Sequence, residues 1–225
     1  MLLAAERHPT IHDFGNFDPR LFEMRYDADG APWLAERAKA LLDGAGIAAQ
    51  LSPEGGLDHG HWTALRYLYP DVDVPVVPLA FAPGQPPAQQ FALGAALAPL
   101  ADEGVLVFAS GSITHNLRRV FSGGLRGRGD AEGEPPEIPE SAAFREWMLS
   151  RSRARDWEAL FAYRRLAPHA VDMHPTDEHL LPWYVAAGAG GRDAMPQRLH
   201  ASVTHGCLGM DAYAFGPAAA RLEGV

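Results

Sequence analysis

A short, uninterrupted apolar run, Val105-Leu-Val-Phe-Ala109, constrains this chain more than any other feature. It is closed by Gly104 on one side and by Ser110-Gly111 on the other. So few apolar residues between turn formers are too short for an ordinary helix and fit a strand covered on both faces. A second run, Val74-Pro-Val-Val-Pro-Leu-Ala-Phe81, is the clearest strand, and its two prolines place it at a sheet edge or a strand end. Ile47–Leu51 is a third, shorter candidate. Helical patterns lie between and after these runs. In Ala31–Asp43, residues Leu34, Ala38, Leu41 and Leu42 share one face of a 3.6-residue period, and Gly44 sits where a helix-ending glycine belongs. Gly60–Tyr69 puts Trp62, Leu65 and Tyr69 on one side, and Pro87–Ala101 keeps Leu93, Leu97 and Leu100 in register. Ser141–Ser150 and Asp156–Tyr163 read as two more helices, and Gln197–Val203 and Leu208–Phe215 as closing strands around a turn at Gly206. Strand and helix alternate with no internal repeat and no linker. The expectation is a single α/β domain over 1–225, a mixed central sheet flanked by helices.

Composition removes several classes of function. Hydrophobic residues are 47% of the 225, enough to bury a core, and no segment approaches the ~18 uninterrupted apolar residues of a membrane span. The amino terminus lacks the apolar stretch of a signal peptide, so a soluble, cytoplasmic protein is expected. A net charge of −9 argues against a nucleic-acid partner, which needs a basic face. With one cysteine, Cys207, no intrachain disulfide can form and a thiolate metal site is disfavoured. Ten histidines point instead to imidazole and carboxylate chemistry.

Three stretches concentrate that chemistry. In His174-Pro-Thr-Asp-Glu-His179-Leu-Leu-Pro182, Thr176 is a good N-cap, and Asp177 and Glu178 suit the positive end of a helix dipole. Pro182 must either kink that helix or begin one. Both readings leave His179 at an element terminus, a common address for a metal ligand; a capped helix start with incidental histidines accounts for the stretch equally well. In Gly55-Gly-Leu-Asp-His59-Gly-His-Trp62, an extended backbone would put His59 and His61 on one side, and the glycines permit close approach of a ligand. Here His59 is read as functional and His61 as structural or lining a pocket together with Asp58. In Ser110-Gly-Ser-Ile-Thr-His115-Asn-Leu-Arg118, His115 and Asn116 follow the carboxyl end of a strand, where ligand sites of open α/β sheets gather. His12 reads as a turn residue walling a pocket, and His8, His169, His200 and His205 as surface or core imidazoles. Ser122–Glu140, rich in Gly, Pro and charge, reads as a long surface loop or lid, and the Arg128-Gly-Asp130 within it as coincidence.

Taken together, Pro9-Thr-Ile-His-Asp-Phe-Gly15, Gly56-Leu-Asp-His-Gly60, Ala109-Ser-Gly111 with His115-Asn-Leu-Arg118, and Pro175-Thr-Asp-Glu-His179-Leu-Leu-Pro182 recur in this order in one family. The sequence resembles the class III extradiol ring-cleavage dioxygenases, in the single-chain group similar to 4,5-DOPA dioxygenase, from Pro9 nearly to its end. The resemblance implies that His179 is a metal ligand, that His115 is a further ligand or the acid/base partner, and that His59 faces the substrate. It implies Fe(II), with Zn(II) fitting the same imidazoles without the redox chemistry, and a catechol and dioxygen as small-molecule partners. There is a departure. The family's domain opens with two strands, ending in His-Gly-Ser-Pro and Ser-Ala-His-Trp, each bringing a ligand histidine, and neither motif occurs here. The chain is expected to be an amino-terminally incomplete catalytic domain, weak in metal binding and with little or no catechol cleavage of its own, and with an exposed sheet edge prone to self-association into oligomers. Two other readings stay open. One is a metal-dependent hydrolase using His59, His61, His174 and His179, and the other is a non-catalytic remnant of the dioxygenase family.

Overall fold

The computed structural model describes residues 1–15, 17–122 and 134–222. The greater part of the expected Ser122–Glu140 lid, including Arg128-Gly-Asp130, lies outside the described residues. The fold is mixed α/β, and the chain divides into two compact units, Met1–Ala82 and Pro83–Val225.

In the first unit, β1 (Leu2–Leu3) runs parallel to β4 (Leu51–Ser52), and β2 (Arg7–His8) runs antiparallel to β3 (Ala28–Asp29). Helix α1 (Pro32–Gly44) begins on a proline, which has no backbone N–H to leave unsatisfied, and buries Leu34, Ala38 and Leu42 of the face that the sequence period marks, together with Ala35, while Leu41 is half-buried. Helix α2 (His59–Leu68) is capped by Asp58 and buries Trp62 and Leu65 in a core with Tyr26, Ala28 and Leu57. The run Val74–Phe81 does not form a full strand. It touches the sheets only through isolated bridges, Val76 to Gly30 and Leu79 to Leu2. Its prolines explain this, since each removes a ladder donor.

The second unit is mainly helical: α3 (Pro87–Leu97), α4 (Leu117–Ser122), α5 (Pro139–Ala154), α6 (Trp157–Phe161), α7 (Tyr163–Leu166), α8 (Ala170–Met173) and α9 (Leu181–Gly190). Pro182 is in the first turn of α9, so of the two readings of that proline the helix start is the one observed. Consequently Thr176, Asp177 and Glu178 are in the turn before the helix rather than in its first turn, and Thr176 hydrogen-bonds Glu178 instead of capping α9. The closing strands are two antiparallel pairs, β5 (Gln197–His200) with β8 (Ala212–Ala214) and β6 (Val203–Thr204) with β7 (Leu208–Gly209), folded about Gly206 at φ +67°.

Helices α3 and α9 meet backbone to backbone. A Cβ on Gly94 would stand 1.9 Å from the Val185 carbonyl oxygen, and one on Gly188 would stand 2.0 Å from that of Phe91. Helix α9 is apolar all round and buried on nearly every side, as a helix inside a core must be.

Val105–Ala109, expected as a buried strand, is a correction. Among the described residues no strand ladder includes it, and Leu106 and Phe108 are 64% and 44% exposed. An apolar run specifies an extended segment that can be buried, but a neighbour has to cover it. Among the described residues the ladders are mixed, one parallel and three antiparallel, and each has two strands, so those residues form no continuous central sheet. No helix among the described residues is long and apolar enough to cross a membrane.

Candidate active site

Each unit holds one cluster of candidate residues. In the second unit, His115 and His179 stack in parallel, ring centroids 3.5 Å apart and planes inclined by 13°. Neither motif achieves this by itself. The segment Gly111–Asn116 is laced to the turn containing His174 and His179 by main-chain and side-chain bonds. Ser112 N–H donates to the His179 carbonyl at 2.9 Å, and His115 N–H donates to the Met173 carbonyl at 2.9 Å. His174 Nε2 lies 2.7 Å from the Ile113 carbonyl, and Asn116 Nδ2 donates to the Asp172 carbonyl at 2.6 Å. Gly111 makes the approach possible, because a Cβ there would lie 2.2 Å from the His179 carbonyl oxygen. The other end of the turn is tied down by Asp177, which accepts from Tyr163 Oη at 2.7 Å and pairs with Arg164.

Electrostatics follow from this packing. Burial, reinforced by the neighbouring His179 and His174 rings, pushes the His115 imidazole down to about 4. The same cause, burial, pushes His174 down to about 4. Both rings are therefore neutral near pH 7. A carbonyl can only accept, so the bond to Ile113 fixes the neutral His174 ring with its hydrogen on Nε2. His174 is fully buried, and it holds the loop that carries His115.

Asn116, expected to line a pocket, is 6% exposed. Its amide is committed at both ends, Nδ2 to Asp172 and Oδ1 to the Arg119 N–H at 3.2 Å, which starts α4. Its role is to position the chain just after His115.

In the first unit, Asp13 Oδ1 accepts from the His59 backbone N–H at 3.0 Å and lies 2.8 Å from His59 Nδ1. Burial would raise the Asp13 carboxyl, but the bonds from the His59 ring and backbone outweigh it and hold the group below the usual range. His61 is handled separately. Asp58 Oδ1 lies 2.6 Å from His61 Nδ1 and caps α2, and this bond lowers the Asp58 carboxyl against the opposing effect of burial. The expectation that His59 and His61 share one side assumed an extended backbone. They are instead two residues apart at a helix start, roughly 200° around the axis. His12 packs edge-on against Phe14 and Trp62, with its Nε2 3.0 Å from the Met24 carbonyl, behind a small cavity rather than on its wall. That cavity, about 170 Å³, is lined by Phe14, Phe17, Leu21, His59, Trp62 and Thr63. A larger hollow of about 380 Å³ beside Gly190–Met195 contains none of the candidate histidines, and chemistry favours the smaller one.

Sequence reasoning missed Asp13 and underrated His174. Asp13 was visible inside the Pro9–Gly15 motif, yet nothing local shows that a carboxylate will meet an imidazole 46 residues later.

The chain matches, over residues 1–216, the family described as the catalytic LigB subunit of aromatic ring-opening dioxygenase. It is 36% identical to the 4,5-DOPA dioxygenase extradiol of Beta vulgaris over 217 residues, covering 94% of this chain and 76% of that protein. The protein of the same name from Portulaca grandiflora is 34% identical over 95% of this chain and 76% of its own length. A crystal structure of an uncharacterized Escherichia coli K12 protein superposes with a TM-score of 0.73 at 30% identity, over 96% of this chain and 80% of that one. This chain belongs to the aromatic ring-opening dioxygenase family of the LigB catalytic subunit.

Proposed function

We propose that this chain carries an extradiol ring-cleavage site, opening a catechol-type ring with dioxygen in the cytoplasm. The observation that carries the reading is the convergence of His115 and His179, each from one of the family's motifs, into a single stacked pair. His115 is neutral at physiological pH, so a ring lone pair is available to accept the proton of a ring hydroxyl. His174 and Asn116 fix the backbone on either side of it.

A metal is where the residues fall short. Fe(II) or Zn(II) would draw on His179 and His115, but two imidazoles are fewer than the three protein donors of an open catalytic metal site. Among the described residues no group of three or more His, Cys, Asp or Glu converges. The donor set does not fit a complete metal centre, and residues 1–225 should bind Fe(II) or Zn(II) weakly. The hydrolase alternative loses support from the same geometry, since His59 and His61 diverge and His174 spends Nε2 on Ile113.

The test is oxygen uptake together with appearance of a ring-opened product from a catechol after anaerobic iron loading. His115→Ala should lower turnover by roughly 10²–10⁴-fold if the ring carries the proton. A fall smaller than tenfold would remove it from the chemistry. Metal content separates the roles: His179→Ala should lose what iron the chain holds, and iron binding as tight as the wild type's in that variant would sink its assignment as a ligand. No oxygen uptake with a catechol from a folded wild-type protein, even at iron concentrations that saturate its weak site, would instead support the non-catalytic reading.

A further inference from the structure

A buried group of ions in the second unit stands behind the segment that carries His115. Asp211, between β7 and β8, has a fully buried side chain, and Arg145 of α5 holds it in a bidentate pair, Nε to Oδ2 at 2.6 Å and Nη2 to Oδ1 at 3.1 Å. The remaining nitrogen, Nη1, donates to both carboxylate oxygens of Glu137 at 2.8 Å. Arg198 lies 3.4 Å from Asp211, so two cations face two carboxylates. Burial would lower the proton affinity of Arg145, but the bonds to Asp211 and Glu137 outweigh it and raise that affinity above the ordinary value. Buried ion pairs seldom repay their desolvation as stability, and their best-attested use is to fix a register.

The register here is that of residues 112–115 against β7. Gly209 of β7 is enclosed from two sides, since a Cβ on it would lie 2.8 Å from Arg145 Cδ and 2.9 Å from Thr114 Oγ1. Its N–H donates to Thr114 Oγ1 at 2.6 Å, and its carbonyl accepts from the Ile113 N–H at 3.1 Å and from Ser112 Oγ at 3.0 Å. Ser141, four residues before Arg145 on the same face of α5, donates to Glu137 at 2.8 Å. That leaves its lone pairs for the Thr114 hydroxyl, 3.5 Å away. Residues 112–114 therefore hang between two supports, the turn of His174 and His179 on one side and β7 on the other. Thr114 immediately precedes His115, so a slip of Gly209 against α5 is carried directly to the ring that stacks on His179.

We propose that Arg145, held by Asp211 and Glu137, is a positioning residue that sets the alignment of His115 against His179 through Gly209 and Thr114. This deepens the dioxygenase reading, and its effect on turnover rests on that reading, whereas its effect on the geometry of the pair does not. The fork of the guanidinium is what the role requires. A lysine would keep the charge but, as a single point donor, could not hold two carboxylates at fixed angles.

The experiment uses the full chain stripped of metal with EDTA and labelled with ¹³C-histidine, the ring C–H signals of the pair being assigned with His115→Gln and His179→Gln. Two variants are compared with the wild type. Arg145→Lys keeps the charge and removes the fork. The triple variant Glu137→Gln, Arg145→Met, Asp211→Asn removes the three charges together, so that no carboxylate is left buried alone. The expected result is that the His115 and His179 ring signals leave their wild-type positions in both variants. With a catechol, and at iron concentrations that saturate the site, kcat should fall roughly tenfold or more in Arg145→Lys while KM stays within about twofold, because a misplacement of about 1 Å can cost on the order of 10²-fold in rate. A role in stability alone would lower the melting temperature and leave the ring signals of the folded protein where they are in the wild type. That outcome in Arg145→Lys would overturn the proposal, and if Arg145→Lys does not fold, the same signals in the triple variant decide. Moved signals with turnover equal to the wild type's would overturn it as well. Moved signals in a protein whose wild type opens no catechol would keep the positioning role and remove the dioxygenase reading. Unmoved signals in a protein whose wild type does open one would keep the dioxygenase and remove the positioning role.

Discussion

Single residues at this site act mainly by allowing or enforcing backbone approach. Gly111 has a negative or extended φ, so any residue could adopt its conformation; what forbids a side chain is the His179 carbonyl, 2.2 Å from where a Cβ would stand. Gly111→Ala must therefore push the His179 turn away or break the bond from Ser112 N–H to that carbonyl. A displacement of about 1 Å at reacting groups can cost on the order of 10²-fold in rate. The expected outcome is a tenfold or greater fall in ring opening with only a modest loss of melting temperature. Wild-type turnover in Gly111→Ala would show that the stacked pair is not the reacting geometry. The contrast with Gly94 and Gly188 is instructive, because the same steric demand there serves packing alone.

Those two glycines belong to the scale of elements. Gly188→Ala would force α3 and α9 apart at a contact where the Cβ meets a carbonyl oxygen at 2.0 Å. Overpacking of a tight core costs typically about 1–3 kcal/mol, and the gain in helix propensity from Gly to Ala, about 1 kcal/mol, offsets only part of it. A lowered urea midpoint with an unchanged slope is expected, and a raised midpoint would show that the helices can separate freely. Helix spans were the most legible part of the chain, with α1, α2 and α3 starting and ending within a few residues of the patterns that mark them. Their signals are local: a proline at the first turn, an acidic cap, a 3.6-residue apolar stripe. The extended runs were less legible, since Val105–Ala109 and Val74–Phe81 need backbone partners that a run of side chains does not name.

For the molecule as a whole, the buried imidazoles couple stability to pH. His115 and His174 fall from the ordinary value of 6.5 to about 4 on folding. Between those values the unfolded chain binds more protons than the folded one, so stability is full above about pH 6.5 and declines as pH falls towards 4. The melting temperature should hold between about pH 8 and 7 and drop below about pH 6. His174→Gln, which keeps an N–H for the Ile113 carbonyl, should flatten that drop. A variant with the wild-type pH slope would show that His174 is not the group being protonated.

What the sequence by itself determined is most of the helices, though not the short α4, α7 and α8, together with the α/β class, the order of the four motifs and, through them, the family. These follow from interactions that reach only a few residues along the chain, such as capping, side-chain period and the fixed φ of proline. What only the tertiary structure decided is which groups meet. His59 is paired with Asp13 across 46 residues, His174 holds the Ile113 carbonyl across 61, and Asn116 reaches Asp172 across 56. His115 and His179 stack because a glycine and two main-chain bonds bring their loops together. A sequence can show that an imidazole is present, but its tautomer, its proton affinity and its neighbours depend on burial and on partners that only the folded chain brings within reach.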